Sequence, residues 1–232
     1  MKKALLFLFV TVTLFLLLGE LFLPAYVERE VERHLRGQVR EADGLEIEAI
    51  SFPALKLLFT RADRVFLEAD RLDLEGLILR SVDLRYSDVS INSGRLKGEN
   101  DYIYLEISEE SINSYVAENY SRLKNFQLNF TPENVYMEGR INLLGNEIEV
   151  KLTGNLVLQP EDIIAFVPGD LQIDEYRVSE ELIRNMAGKL DFSFDLNKLR
   201  IPLSPEEIRI REGEVHVFGG SRGEAENGDE QK

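Results

Sequence analysis

The rhythm of hydrophobic and polar residues changes twice along this chain. Between Ala4 and Gly19 the run ALLFLFVTVTLFLLLG carries no charge; Lys2 and Lys3 precede it. Glu20 interrupts, and LFLPAYV then carries the apolar pattern to Val27. Such a segment, residues 1–27, is a secretory signal or an uncleaved signal-anchor. A clean small-x-small cleavage site is missing, since Leu17 stands two places before Gly19 and Leu23 two before Ala25. Counted through to Val27, the run is long enough to cross a bilayer. The two lysines fit an N-inside orientation. Either reading sends the rest of the chain outside the cytoplasmic membrane, anchored by the helix or secreted after cleavage.

From Val27 the pattern becomes VEREVERHLRGQV. Val27, Val31, Leu35 and Val39 recur every four residues, which predicts a helix with one narrow apolar stripe. Residues 28–44 are therefore expected to form a membrane-proximal helix that ends where Gly44 opens a folded domain, residues 45–219.

Within that domain the period drops to two, the mark of half-buried strands. Leu45, Ile47 and Ala49 share a face, as do Val65, Leu67 and Ala69; after Arg71 the phase flips to Leu72 and Leu74, predicting a bulge or bend at Asp70. Alternation continues through Val82–Tyr86, Ile103–Ile107, Phe126–Phe130, Val135–Leu143, Ile148–Leu152, Phe192–Leu196, Ile208–Ile210 and Val215–Val217. Short turn signals such as TPEN at 131–134 and PGD at 168–170 separate the strands and predict antiparallel pairing.

Two helical stretches interrupt them. Ser108 is a good N-cap with Glu109 and Glu110 in the first turn, and Ile112, Tyr115, Val116 and Leu123 fall on one face. Ser179 opens a second such stretch, followed by Glu180 and Glu181, with Leu182, Ile183, Met186 and Leu190 on its face. A shorter stretch, PEDIIAFV at 160–167, is a third helical candidate of about one turn. The echo extends further: Pro132 and Pro205 each follow a Ser or Thr and precede a Glu, and each segment reaches Glu-Gly. This predicts an internal duplication, about 102–139 and 173–213. The tail, residues 220–232, is polar and expected to be disordered.

A dozen strands with one apolar face each need a cover. Two short helices cover only part of a large sheet. The fold class expected is α+β: a large curved antiparallel sheet wrapping two amphipathic helices, behind an N-terminal membrane helix. The uncovered apolar face then lines a groove, or closes into a dry core.

Composition narrows the partners. The net charge of −15 argues against nucleic acid, whose phosphates need clustered Lys and Arg. With no cysteine, disulfides and Cys-ligated zinc are excluded. His34 and His216 show no metal spacing and read as surface histidines. Asp73 and Glu75, expected on one strand face, could bind calcium or act as acid and base, but a solvated face is the simpler reading. Nothing nominates a nucleophile, so no enzyme and no cofactor are expected. Lys56, Arg61 and Arg64 cluster beside the apolar run FPALKLLF and are headgroup candidates.

The stretch LEIEAISFPALKLLFTRADRVFLEADRLDLEGLILRSVDLRYSDVSI, residues 45–91, with FTPENVYMEGRINLLGNEIEV and IRIREGEVHVFGG further on, resembles the LmeA family of phospholipid-binding proteins. The resemblance spans roughly residues 28–219. It implies a tubular lipid-binding layout and a cell-envelope protein that binds phospholipid, with no catalytic residues to carry over. Together with the cover argument, it points to lipid held or transferred in an apolar groove lined by Leu105, Ile107, Tyr115, Val116, Phe126, Phe130, Ile183, Met186, Phe192 and Phe194, with a role in envelope lipid or glycolipid maintenance. The alternative is a non-catalytic anchored structural or assembly protein with a dry core. A hydrolase acting on envelope lipid is a third, weaker reading.

Overall fold

The structure, a computed structural model, describes residues 2–37, 39, 41–59, 61–92, 95–143, 146–160, 162–173, 176–177, 191–199 and 203–220. A single helix, α1 (Lys2–Arg36), runs from the first segment expected at the N-terminus into the second without a break at Val27, but it stops short of Gly44: glycine is a poor helix former, the chain turns at Gly37, and Ala42–Asp43 is strand rather than helix. It runs through Pro24, although Pro has no N–H to donate to the carbonyl four residues back. Among the described residues it is the one helix long and apolar enough to cross a membrane, an 18-residue stretch of it having a mean hydropathy of 2.5. The expected stripe faces the core: on α1 Val31 is buried and Val27 packs against it, and Val39, beyond the helix end, packs there too. The side chain of Leu35 lies outside what is described.

Next come β1 (Ala42–Asp43), β2 (Glu46–Ile50), a 3-10 turn at Ala54–Phe59, β3 (Arg61–Ala69), β4 (Arg71–Leu74), β5 (Leu77–Asn92) and β6 (Arg95–Ser108). Helix α2 (Glu109–Asn119) follows. After it stand β7 (Phe126–Phe130), β8 (Val135–Leu143), β9 (Asn146–Gln159), β10 (Ile163–Ile173), β11 (Tyr176–Arg177), β12 (Ser193–Asp195), β13 (Pro205–Arg211) and β14 (Glu214–Gly219). All pairings among the described residues are antiparallel. An eight-stranded sheet runs β1-β4-β5-β6-β14-β13, with β3 also on β5 and β2 on β3; a six-stranded sheet runs β11-β10-β9-β8-β7, with β12 on β10. More than half of the chain is strand, curled into a half-barrel.

The curl has a source in the sequence. On β5 the buried residues are Leu77 and Leu79, then Val82, Leu84 and Tyr86, then Val89. Each gap of three marks a reset of the inward face. The β5–β6 register shifts at the same places, between Leu79 and Ser81 and between Ser87 and Ser90. Asp88 there has φ of 48°. Such bulges bend a strand and increase its twist. On the other side of β5 the flip expected at Asp70 is present: Ala69 ends β3, Leu72 and Leu74 point inward from β4, and the two strands pair with different parts of β5. The β4–β5 turn has two residues, Glu75 and Gly76, both at positive φ (52° and 100°), the conformation of a tight hairpin in a twisted sheet.

Four more expectations need correction. PGD at 168–170 does not separate two strands: β10 runs through it, with a shift of register between Pro168 and Asp170. The stretch expected to be helical at 160–167 is strand over 163–167: after the turn at Pro160 the chain enters β10, with Ile163 opposite Gln159. An unbroken apolar run cannot be told from a helix by period alone, and here the run is buried on both faces, at Ile164, Ala165 and Phe166. His216 is not a surface residue. It is buried on β14, flanked by β6 and β13, and lies 3.0 Å from the Tyr104 hydroxyl and 2.8 Å from Glu214. Side chains of the neighbouring strands roof over this outward face. Asp73 and Glu75 do not work as a pair: Asp73 accepts from the Gly76 N–H at 2.6 Å, while Glu75 leaves the strand in the turn and meets Lys198 at 2.6 Å. His34 lies on α1, with its side chain outside what is described.

The two echoing segments are used differently. The Thr131–Asn134 turn joins β7 to β8, closed by Thr131 bonded to Asn134. Pro205 instead begins β13, and Glu212-Gly213 forms the hairpin into β14. The second capped stretch, residues 178–190 with Ile183 and Met186, lies outside the described residues.

Candidate lipid-binding core

Helix α2 stands at the centre of the candidate site. Ser108 caps it, its Oγ accepting from the Ser111 N–H at 3.3 Å. Ile112, Tyr115 and Val116 form the buried face, and Leu123 continues it one turn later. The polar flanks of that face hold both sheets. Ser111 Oγ accepts from the Ile78 N–H of β5 at 2.7 Å. Asn113 pairs with β7 as a strand would: its Oδ1 accepts from the Leu128 N–H at 2.7 Å and its Nδ2 donates to the Leu128 carbonyl at 2.9 Å. Glu109 accepts from the Phe130 N–H at 2.9 Å, and the Gly213 N–H donates to the Phe130 carbonyl at 3.1 Å.

β7 is the last strand of its sheet. Its open edge is thus closed by two side chains of α2 and by the β13–β14 hairpin, and among the described residues no backbone ladder runs from one sheet to the other here. Two sheets share one apolar core, and α2 is the bridge between them.

Eight of the ten expected lining residues lie in that core. Leu105 and Ile107 come from β6, Tyr115 and Val116 from α2, Phe126 and Phe130 from β7, Phe192 and Phe194 from β12 and its lead-in. None exceeds 9% exposure. An aromatic layer sits over α2: Tyr115 to Phe194 at 5.2 Å between ring centroids, Phe192 to Phe194 at 5.5 Å, and Phe166 stacked on Phe192 at 5.1 Å. Tyr120, just past α2, locks the layer: its hydroxyl donates to the Ser193 carbonyl at 2.9 Å and accepts the Ser193 N–H at 3.0 Å. Burial raises the pKa of Tyr115, keeping the phenol neutral.

Polar hollows lie elsewhere. One of about 500 Å³ sits between Asp70, Arg80, Glu110 and Ser114, and another of about 470 Å³ between Glu46, Glu68, Ser81 and Tyr104. Charged walls suit neither to an acyl chain. The described residues hold no cluster of His, Cys, Asp or Glu able to bind a metal.

The headgroup candidates divide. Lys56 is engaged with Asp63 at 2.8 Å, and that hydrogen bond, with one from the Phe52 N–H, lowers the Asp63 pKa. Arg61 and Arg64 are exposed on β3.

A match to the LmeA-like phospholipid-binding proteins covers residues 18–219. The chain belongs to this family. No curated protein and no solved structure matches it. The LmeA-like match takes in the fourteen described strands, α2 and the C-terminal half of α1. It begins ten residues before the span of the sequence resemblance, roughly 28–219.

Asn113, Tyr120 and Phe166 escaped the sequence reading, and Glu109 was read only as a first-turn residue. Asn113 is a weak helix former in mid-helix, beside the buried stripe. That placement is the one signal that marks it as making a specific bond.

Proposed function

We propose that this protein is an extracytoplasmic, membrane-anchored phospholipid-binding protein, holding or transferring lipid with an acyl chain in the apolar core between the curved sheet and α2. Membership of the LmeA-like family supports phospholipid as the ligand class. The observation that carries the position is the junction at α2. Two sheets share a core there without a shared ladder, so side-chain packing can part for a chain while both sheets stay intact. Leu105, Ile107, Tyr115, Val116, Phe126, Phe130, Phe192 and Phe194 supply the described wall; Ile183 and Met186 are proposed to complete it. Each methylene transferred from water to such a wall contributes about 0.8 kcal/mol. The length and hydropathy of α1 support an anchor, and Lys2-Lys3 support an N-inside orientation. A role in maintaining envelope lipid or glycolipid follows from that location.

Full-length protein extracted in mild detergent should carry phospholipid in native mass spectrometry. A phospholipid with a photoreactive acyl chain should crosslink to α2 and to Phe192–Phe194. Protein that never carries or takes up lipid would sink the reading. The second reading, an anchored structural or assembly protein with a dry core, is favoured by the low exposure of the eight wall residues. It predicts no lipid in the first measurement and one recurrent protein neighbour on crosslinking in membranes.

A further inference from the structure

The apolar surface of this chain is not confined to α1. Phe52, Leu58 and Phe59 are 79%, 56% and 75% exposed, and Ile50 beside them is 37% exposed. Ile50 ends β2, Phe52 lies in the link that follows, and Leu58 and Phe59 end the 3-10 turn. A 3-10 turn repeats every three residues, and it divides this run cleanly: Ala54 and Leu57 are buried, and Leu58 and Phe59 face out. The run is held firmly. Asp63 binds it at its start and its middle, accepting from the Phe52 N–H at 2.8 Å and from Lys56 Nζ at 2.8 Å. A single exposed apolar side chain is ordinary, but three large ones on a clamped turn need a neighbour of low polarity.

Its place against α1 identifies that neighbour. The Ala54 N–H donates to Glu20 Oε1 at 2.8 Å, and further out the Ala49 N–H donates to Glu28 Oε1 at 3.2 Å. A helix rises about 1.5 Å per residue, so a hydrocarbon core of about 30 Å takes up about twenty residues. Counted from Ala4, that core ends near Leu23. Glu20 then lies within it, about 5 Å below the outer boundary. A carboxylate at that depth needs a hydrogen-bond donor, and Ala54 supplies one. The turn bonded to Glu20 is therefore at the same depth.

We propose that residues Phe52–Phe59 form a second membrane contact, a wedge that dips into the outer-leaflet lipid beside α1 and seats the domain on the bilayer. Arg61 and Arg64 follow on β3, and Arg64 stands opposite Ile50 in the β2–β3 ladder. They are placed where the wedge surfaces, at headgroup level. The wedge rests on the reading of α1 as a membrane span, and is independent of where an acyl chain sits in the core.

The absence of cysteine makes the test direct. Full-length Phe52→Cys, Phe59→Cys and, as the aqueous control, Glu133→Cys are reconstituted into vesicles of phosphatidylethanolamine and phosphatidylglycerol. Flotation reports anchoring, and a membrane-impermeant maleimide reports exposure. With the wedge in lipid, the thiols of the Phe52→Cys and Phe59→Cys variants react at least about tenfold more slowly than that of Glu133→Cys, the factor set by about 1.4 kcal/mol of apolar burial. Leu58→Cys, on the same face, repeats the reading if either variant fails to fold. Vesicles that float with the protein while all the variants react alike overturn the wedge and leave the anchor standing. Protein that does not float overturns both.

Discussion

Helices α1 and α2 meet the same curved sheet and carry their apolar residues in opposite ways. On α2 the apolar residues form a stripe, Ile112, Tyr115 and Val116, and that stripe is buried by protein. On α1 they run all round the helix, and Phe7, Leu8, Phe9, Val12, Leu14 and Phe22 are between 49% and 74% exposed. A helix with one apolar stripe belongs at a protein surface facing a core, whereas one that is apolar all round needs an apolar surrounding. The lesson is that hydrophobicity alone does not tell what a helix packs against; its distribution around the axis does.

Truncation should separate the two most sharply. Ile112→Ala empties a fully buried site and should cost about 2–5 kcal/mol, seen as a lowered thermal midpoint of the full chain in detergent. Leu14→Ala, on bare α1, should leave that midpoint within about 0.5 kcal/mol of the parent. Equal losses would break the comparison. A charge tests the proposed placement of α1 in lipid. Val12→Arg should cost about 2.5–3.5 kcal/mol of insertion and weaken retention in alkaline-washed membranes, while the thermal midpoint in detergent stays put.

The polar flank of α2 comes next in size. Asn113→Ala strands the N–H and carbonyl of Leu128 and should cost about 1–3 kcal/mol in chemical unfolding. Asn113→Asp keeps the acceptor and loses the donor, so an intermediate loss is expected. The smallest effect is a pH dependence at the strand leading into α2. Burial, with Glu106 adding to it, pushes the Tyr104 pKa up to about 12, from an ordinary value of about 10. The folded state holds the proton more tightly, so this stabilisation is complete below about pH 10 and is lost as pH rises towards 12. Phenolate absorbance of the parent against Tyr104→Phe should reveal one late-titrating tyrosine, and the variant's thermal midpoint should fall less steeply over that window.

How much of this was legible depended on range. The start and face of α2 were readable because capping and a 3.6-residue period are local signals. The flip at Asp70 was readable too, from alternation alone. β5 was not recognised as one long strand, because its two bulges split Leu77–Leu79, Val82–Tyr86 and Val89 into fragments with different phases. His216 was misplaced because alternation sets which face a residue is on but not whether neighbouring strands cover that face. In the candidate core, large apolar residues on strand and helix faces identified eight wall members. The residues that hold the wall together, Asn113, Glu109 and Tyr120, bond to backbone 15, 21 and 73 positions away, distances over which no local pattern carries information.

The side-chain closure of β7 also governs how copies of this protein meet. An open strand edge is a template for a second strand, and proteins confined to a membrane plane encounter one another often with matched orientation. On β7 the Leu128 and Phe130 N–H and carbonyl groups are already taken by Asn113, Glu109 and Gly213. Edge-to-edge zippering at this strand would first have to break those bonds. The same residues that join the two sheets thus keep one molecule from annealing to the next.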